Sequence, residues 1–277
     1  MLLLIVTALT VAGAVMLGVV TDIFWLIPAF FVGAFLVLAA LAFGLLVLIC
    51  ACIDPEKPRQ EDNLFFRNMI ISYVHAVLTI LPIRIRTQGL EKTPKDGRFL
   101  LVCNHLDNID PAFLLHCFPK SQLAFVAKKE TKSMFLVNKV MPVLLCQQID
   151  RENDREALKT IIKCIGLLKE DKVSVAIFPE GRINQYRKLA HFRPGVFKIA
   201  QKAQVPIVVC TMRNTNQVIS RLLKLKGSTV DVHLLDVILP EEIAGKTTVD
   251  VAQKVYELMA ADLGPENVLT AEEEEKA

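Results

Sequence analysis

Charge is almost absent from the start of this 277-residue chain: residues 1–53 carry a single charged side chain, Asp22, and no lysine or arginine precedes Lys57. That excludes a water-facing fold for the segment, and the lack of basic residues near Met1 argues against a cleaved signal peptide. Cysteine is too sparse and too scattered for a metal or disulfide framework. The seven (Cys50, Cys52, Cys103, Cys117, Cys146, Cys164 and Cys210) are odd in number, mostly embedded in apolar runs and without paired ligand spacing. There is no internal repeat and no Gly-x-Ser-x-Gly elbow, which excludes a solenoid and the usual nucleophilic serine. Gly245-Lys246-Thr247 is not a phosphate loop, because Pro240 occupies the required upstream glycine position. Acidic residues are missing altogether from residues 181–230, a stretch that holds ten basic ones.

What fills the N-terminal segment is apolar. Residues 1–20 and roughly 29–52 each reach the about 20 apolar residues that a bilayer core requires, with Thr21, Asp22, Trp25 and Pro28 as a break between them. A transmembrane helical hairpin is expected over residues 1–53. Lys57, Arg59 and Arg67 follow it, so the positive-inside bias puts the remainder on the cytoplasmic face. Residues 54–82 read as a linker holding one apolar helix, Leu64 to Leu81, lying at the membrane interface or docked on the next domain. His75 within it reads as a packing residue.

From Ile83 the texture becomes that of an α/β domain reaching to residue 265, with a mixed sheet flanked by helices. Strands are expected at Ile83 to Thr87, Phe99 to Cys103, Gln122 to Ala127, Val143 to Ile149, Val173 to Phe178 and Pro206 to Thr211, with an alternating edge strand at Thr229 to Val237. Helices are expected at Pro111 to Cys117, Met134 to Val140, Asn153 to Lys169, Pro194 to Ala203 and Val249 to Leu263. Residues 266–277 read as an acidic, disordered tail.

Within this frame His105 follows an apolar strand, at the end where α/β sheets commonly place ligands. Asp110, five residues on and just before Pro111, has the position of a helix N-cap. A neutral imidazole oriented by a carboxylate is general-base equipment. The pair alone is equally what a capped helix and an ordinary loop histidine present, and it lacks the third ligand a metal site needs. Phe178-Pro179-Glu180-Gly181-Arg182 is a strand running into a turn, in which Gly181 allows close backbone approach and Arg182 offers two-pronged contact to phosphate. The basic block, Arg182, Arg187, Lys188, Arg193, Lys198, Lys202, Arg213, Arg221, Lys224 and Lys226, favours an anionic headgroup, an anionic leaflet or a phosphorylated donor. Nucleic acid is a poor fit, because no aromatic stacking motif is interleaved. Asp150-Arg151 ends another extended run and can point Arg151 into the same cleft.

His105-x4-Asp110, Ile149-Asp150-Arg151, Phe178-Pro179-Glu180-Gly181-Arg182 and Val205-Pro206-Ile207-Val208, in this order, resemble the glycerolipid acyltransferase family, which includes lysophosphatidate (1-acylglycerol-3-phosphate) acyltransferases. His191-Phe192-Arg193-Pro194-Gly195 is similar to the segment before that family's next helix. The resemblance implies a glycerol-3-phosphate acyltransferase-like fold in an integral membrane protein of phospholipid biosynthesis. It implies His105 as general base with Asp110 as its partner, and Arg151, Glu180, Gly181 and Arg182 around a phosphorylated acceptor. No cofactor or metal is implied. The partners are membrane lipids, lysophosphatidate and an acyl donor, acyl-CoA or acyl carrier protein. Leu145 and Gln148 depart from the family's second block, Ile183 stands where its third usually has arginine, and Val209 replaces a second proline. These departures bear on the acceptor and not on the base. Acylation of another lysophospholipid or of glycerol 3-phosphate, and a non-enzymatic lipid-binding role, are the competing readings.

Overall fold

Two uninterrupted apolar stretches dictate the N-terminal helices of the computed structural model, which describes residues 2–21, 27–57, 59–150 and 153–276. They are α1 (Leu2–Thr21) and α2 (Ile27–Ala51), packed on each other where the Phe30 ring meets Gly13. Among the described helices α2 is the one long and apolar enough to cross a membrane, over Pro28–Ala51; α1 is apolar over the shorter Leu4–Met16. Asp22 and Trp25, expected to break the pair, lie outside the described residues.

The next apolar segment forms α3 (Leu64–Ile80), capped by the Asn63 side chain, which accepts from the Phe66 N–H. It is docked on the following domain, the second of the two placements expected for it. Arg67, only 1% exposed, carries that docking. Its Nε donates to Asp62 at 2.7 Å, and its two Nη groups donate to the carbonyls of Leu123 and Leu144. Tyr73 Oη in turn donates to the Ala42 carbonyl of α2.

The domain that follows runs β1 (Ile83–Gln88), β2 (Leu100–Cys103), α4 (Asp110–Cys117), β3 (Leu123–Lys128), α5 (Val137–Val143), β4 (Gln147–Ile149), α6 (Asp154–Lys169), β5 (Ser174–Ile177), α7 (Lys198–Ala203), β6 (Ile207–Arg213), α8 (Val218–Leu223), β7 (Ser228–Ile238), α9 (Pro240–Ile243), α10 (Thr248–Leu263) and α11 (Ala271–Glu275). The seven strands form one sheet in the order β1-β7-β6-β2-β5-β3-β4, parallel throughout except at β6–β7. β2 and β5 are buried at every position, as strands covered on both faces are, and Ser174, the polar residue that opens β5, accepts from the Phe99 N–H. On one face Phe113, Leu114 and Val218 pack with Ile70, Ile71 and Leu78 under α3, α4 and α8. On the other, Cys164, Ile199, Val255 and Met259 pack under α6, α7 and α10.

Four expectations are corrected. The alternating strand β7 is not at the edge: it lies between β1 and β6, because alternation reports one face more deeply covered than the other, not lateral position. The extended run expected over Val143 to Ile149 shrinks to β4, since Val143 still belongs to α5 and Leu145 turns at φ 58°. Asp110 is the first residue of α4 and not its cap; Ile109 holds the cap position while the Asp110 carboxylate folds backward. The acidic tail is not disordered throughout. Thr270 and Glu273 form a capping box that starts α11, and Glu273 pairs with Lys188 at 2.8 Å.

Candidate active site

Parallel register sets the site. Val102 of β2 lies beside Ile177 of β5, so the residues leaving the two strands, Asn104-His105 and Phe178-Pro179-Glu180, emerge together at one end of the sheet. On the other side Cys103 pairs with Cys210 of β6. Asn104, fully buried, locks this junction: its Nδ2 donates to the Met212 carbonyl at 2.9 Å and its Oδ1 accepts from the Met212 N–H at 2.7 Å.

His105 is then held on three sides. Its Nδ1 lies 2.8 Å from Asp110 Oδ2, its ring stacks on Phe178 with centroids 4.0 Å apart, and its backbone N–H donates to Glu180 Oε1 at 2.8 Å. Asp110 is completely buried, and its Oδ2 also accepts from the backbone N–H groups of Leu106 at 2.7 Å and Asp107 at 2.9 Å. These two donors hold the carboxylate as an acceptor, so the imidazole presents Nδ1–H to it and keeps Nε2 as a basic nitrogen.

The imidazole forms part of the wall of a cavity of about 860 Å³. Leu46 of α2, Ile70, Tyr73 and Val74 of α3, and Leu115 and Val140 supply an apolar side; Asn108, Arg182 and Arg187 stand with His105 as polar groups. Such a lining suits a ligand with a long apolar part and a charged end. The cysteine in this lining, Cys146, has its thiol pushed up to about 11 by burial and stays protonated near neutral pH, which makes it a poor nucleophile.

The predicted site residues separate here. His105 and Arg182 line the cavity and Asp110 stands fully buried behind His105, with Arg182 exposed and no hydrogen bond fixing its guanidinium among the described residues. Glu180 and Gly181 do not line it. Glu180 lies behind His105, 5% exposed, with Oε1 taken by the His105 N–H and Oε2 accepting from the Ala190 N–H at 3.1 Å. Burial pushes its carboxyl up to about 8, against the opposing pull of these two bonds. Gly181 turns the chain at φ 79°, and a Cβ there would sit 2.8 Å from Arg193 Nε. Both therefore shape the turn that aims Arg182. Arg151 lies outside the described residues. His75 stacks on His116 at 3.9 Å and does not line the cavity.

Two residues beside the predicted set carry no distinct signal of their own in the sequence. Asn104 gave no signal beyond adjacency to His105, since its partner is 108 positions away. In the sequence Arg187 is one member of a basic block. It sits at φ 56°, donates from Nη1 to the Leu106 carbonyl at 2.7 Å and brings a second guanidinium to the cavity.

Comparison with known proteins points the same way. Residues 84–213 match the family model described as Acyltransferase. A probable 1-acyl-sn-glycerol-3-phosphate acyltransferase of Mycoplasma pneumoniae is 32% identical over 143 residues, 50% of this chain and 53% of that protein. A 1-acyl-sn-glycerol-3-phosphate acyltransferase of Borreliella burgdorferi is 28% identical over 174 residues, 61% of this chain and 69% of that protein. The chain thus spans between about half and about two thirds of the length of these relatives. In fold it is similar to the crystal structure of the 1-acyl-sn-glycerophosphate (LPA) acyltransferase from Thermotoga maritima, with a TM-score of 0.61 at 20% identity, covering 79% of this chain and 86% of that one.

Proposed function

We propose that this chain, whose residues 84–213 match the family model described as Acyltransferase, moves an acyl group from a thioester to the sn-2 hydroxyl of 1-acylglycerol 3-phosphate, giving phosphatidate. The observation that carries this reading is the His105–Asp110 contact at 2.8 Å, made by a histidine in the wall of a largely apolar cavity. Nε2 of His105 accepts the proton of the acceptor hydroxyl as its oxygen attacks the thioester carbonyl carbon. The imidazolium that forms is stabilised by Asp110. The tetrahedral oxyanion is stabilised by a nearby backbone amide or cation; its collapse breaks the C–S bond, and the proton passes from His105 to the departing thiolate. One ester and one thiol replace one alcohol and one thioester, with no covalent enzyme intermediate.

Arg182 takes the acceptor phosphate, and Arg151 belongs to the same anion site in this reading. Glu180 and Gly181 serve by holding the turn. The donor is acyl-CoA or acyl carrier protein. Residues 1–53 anchor the protein in a membrane, residues 54–82 link anchor to catalytic domain, and residues 83–265 work on the cytoplasmic face, where a lysolipid already sits in the leaflet. Support for the anchor comes from α2, whose Pro28–Ala51 stretch has the length and composition of a span.

The test uses detergent-purified protein, wild type beside His105→Ala. Lysophosphatidate, lysophosphatidylethanolamine and glycerol 3-phosphate are offered separately with acyl-CoA or acyl carrier protein, and products are read by mass spectrometry. Phosphatidate from the wild type, lowered about 10²- to 10⁴-fold in the variant, is the expected result. A different acylated lipid keeps the chemistry and replaces the acceptor. No product from any pairing overturns the enzyme reading in favour of lipid binding.

A further inference from the structure

The end of α8 exposes two leucines in a way that water does not favour. Leu223 is 82% exposed and Leu225 is 96% exposed, and Leu225 is held at φ 54°, a left-handed conformation that a leucine rarely adopts. The loop is not loose. The Arg221 carbonyl accepts from both Lys224 N–H at 3.0 Å and Lys226 N–H at 2.9 Å, while Arg221 Nε donates to the Gly227 carbonyl at 2.8 Å. A braced turn thus projects Leu225 between Lys224 and Lys226.

We propose that this turn is a second membrane contact, in which Leu223 and Leu225 enter the apolar layer of an anionic leaflet and Lys224 and Lys226 meet its headgroups. The proposal rests on the membrane placement argued above. Three observations select this occupant. Val218 and Leu222 of α8 pack into the same core as Ile70, Ile71 and Leu78 of α3, so α8 lies on the face of the sheet that also carries α3 and, through Tyr73 and Ala42, α2. The Ser228 N–H that ends the turn donates to the Pro82 carbonyl at 2.9 Å, placing the turn beside the end of α3, where Val77 and Ile80 are each 53% exposed. Finally, no acidic residue occurs from residue 181 to 230, and the next, Asp231, alternates with Val230 and Val232, which are buried on the α3 face. Exposed leucines flanked by lysines are the composition of an interfacial segment.

The chain's one tryptophan allows a direct test. Trp25→Phe, Leu225→Trp protein is reconstituted into phosphatidylcholine vesicles containing phosphatidylglycerol, with and without bromine on the acyl chains. Trp25→Phe, Val249→Trp serves as reference, since Val249 is 61% exposed at the start of α10 on the opposite face. The expected result is blue-shifted emission at position 225, quenched by the brominated lipid, beside water-like emission at 249. Lys224→Glu with Lys226→Glu should weaken the quenching, and so should raised salt. Emission at 225 as unquenched as at 249 overturns the proposal, as does a blue shift that grows with protein concentration and ignores bromine, which would make the surface a self-association site. Acyl transfer measured on the same vesicles keeps the two readings apart: quenching without product leaves the contact standing, and product without quenching removes it.

Discussion

The backbone N–H of His105 donates to Glu180 Oε1 at 2.8 Å, so two motifs 75 positions apart are joined through main chain and carboxylate behind the cavity. The second Glu180 oxygen takes the Ala190 N–H, which ties the turn after β5 to the His105 loop in one rigid unit. Glu180 is thereby a positioning residue, and its chemistry follows from its surroundings. Burial raises its carboxyl from the ordinary value of 4.5 to about 8, so between these values the folded protein keeps a proton that the unfolded chain has released. Stability from this group is full below pH 4.5 and falls as pH rises toward 8, by about 1.4 kcal/mol per pH unit at most.

Glu180→Gln removes that proton linkage. Denaturant unfolding of the variant should show a flatter dependence on pH between 5 and 8 than the wild type, alongside lower activity from a loosened His105 loop. Parallel pH profiles for the two proteins would remove the buried, protonated Glu180 from the account.

Asp110→Asn separates orientation from charge. The N–H groups of Leu106 and Asp107 both point at Oδ2, so they hold the amide oxygen of an asparagine there and preserve the imidazole tautomer. What is lost is the negative charge beside the imidazolium. Activity should fall about 10-fold or more, 1.4 kcal/mol or beyond, but less than in His105→Ala. Steady-state rates for the two variants decide it, and equal losses would mean that the tautomer also fails.

Much of this was readable because the informative partners are close in sequence or lie at strand ends. His105 and Asp110 are five apart across one loop, and Arg182 follows the strand β5 by a single turn. The rest depended on register. Nothing local says that Asn104 reaches Met212, or that Glu180 faces inward to two backbone donors, because both follow from β2 lying between β5 and β6. β7 lies inside the sheet and not at its edge for a related reason: alternation encodes burial of a face and is silent about lateral neighbours.

Gly181→Ala tests the turn itself. The residue holds φ 79°, which costs an alanine about 1–2 kcal/mol, and the new methyl would meet Arg193 Nε at 2.8 Å. Thermal or denaturant unfolding should report a loss of at least the backbone cost. Repeating it in an Arg193→Ala background should recover only the contact, since the strain at φ remains. Complete recovery would assign the whole effect to Arg193.

Arg67 joins α3 to the sheet, and its loss should act at a distance. The guanidinium is 1% exposed, paired with an Asp62 carboxylate that is itself 6% exposed and accepts from Gln122 Nε2 at 2.8 Å. Arg67→Ala strands that carboxylate and leaves the Leu123 and Leu144 carbonyls without their donor, a change that typically costs about 3–5 kcal/mol. Asp62→Ala should also destabilise, and the double variant should cost less than the two single losses added together, because each single change leaves a buried charge that the pair removes. α3 supplies Ile70, Tyr73 and Val74 to the cavity, so the same variants should raise the apparent KM for a lipid acceptor while His105, held by Asp110 and Glu180, keeps its geometry. Unfolding curves together with KM and kcat measured separately give the answer: a drop confined to kcat would place the effect at the base and contradict a role for Arg67 in holding the apolar wall.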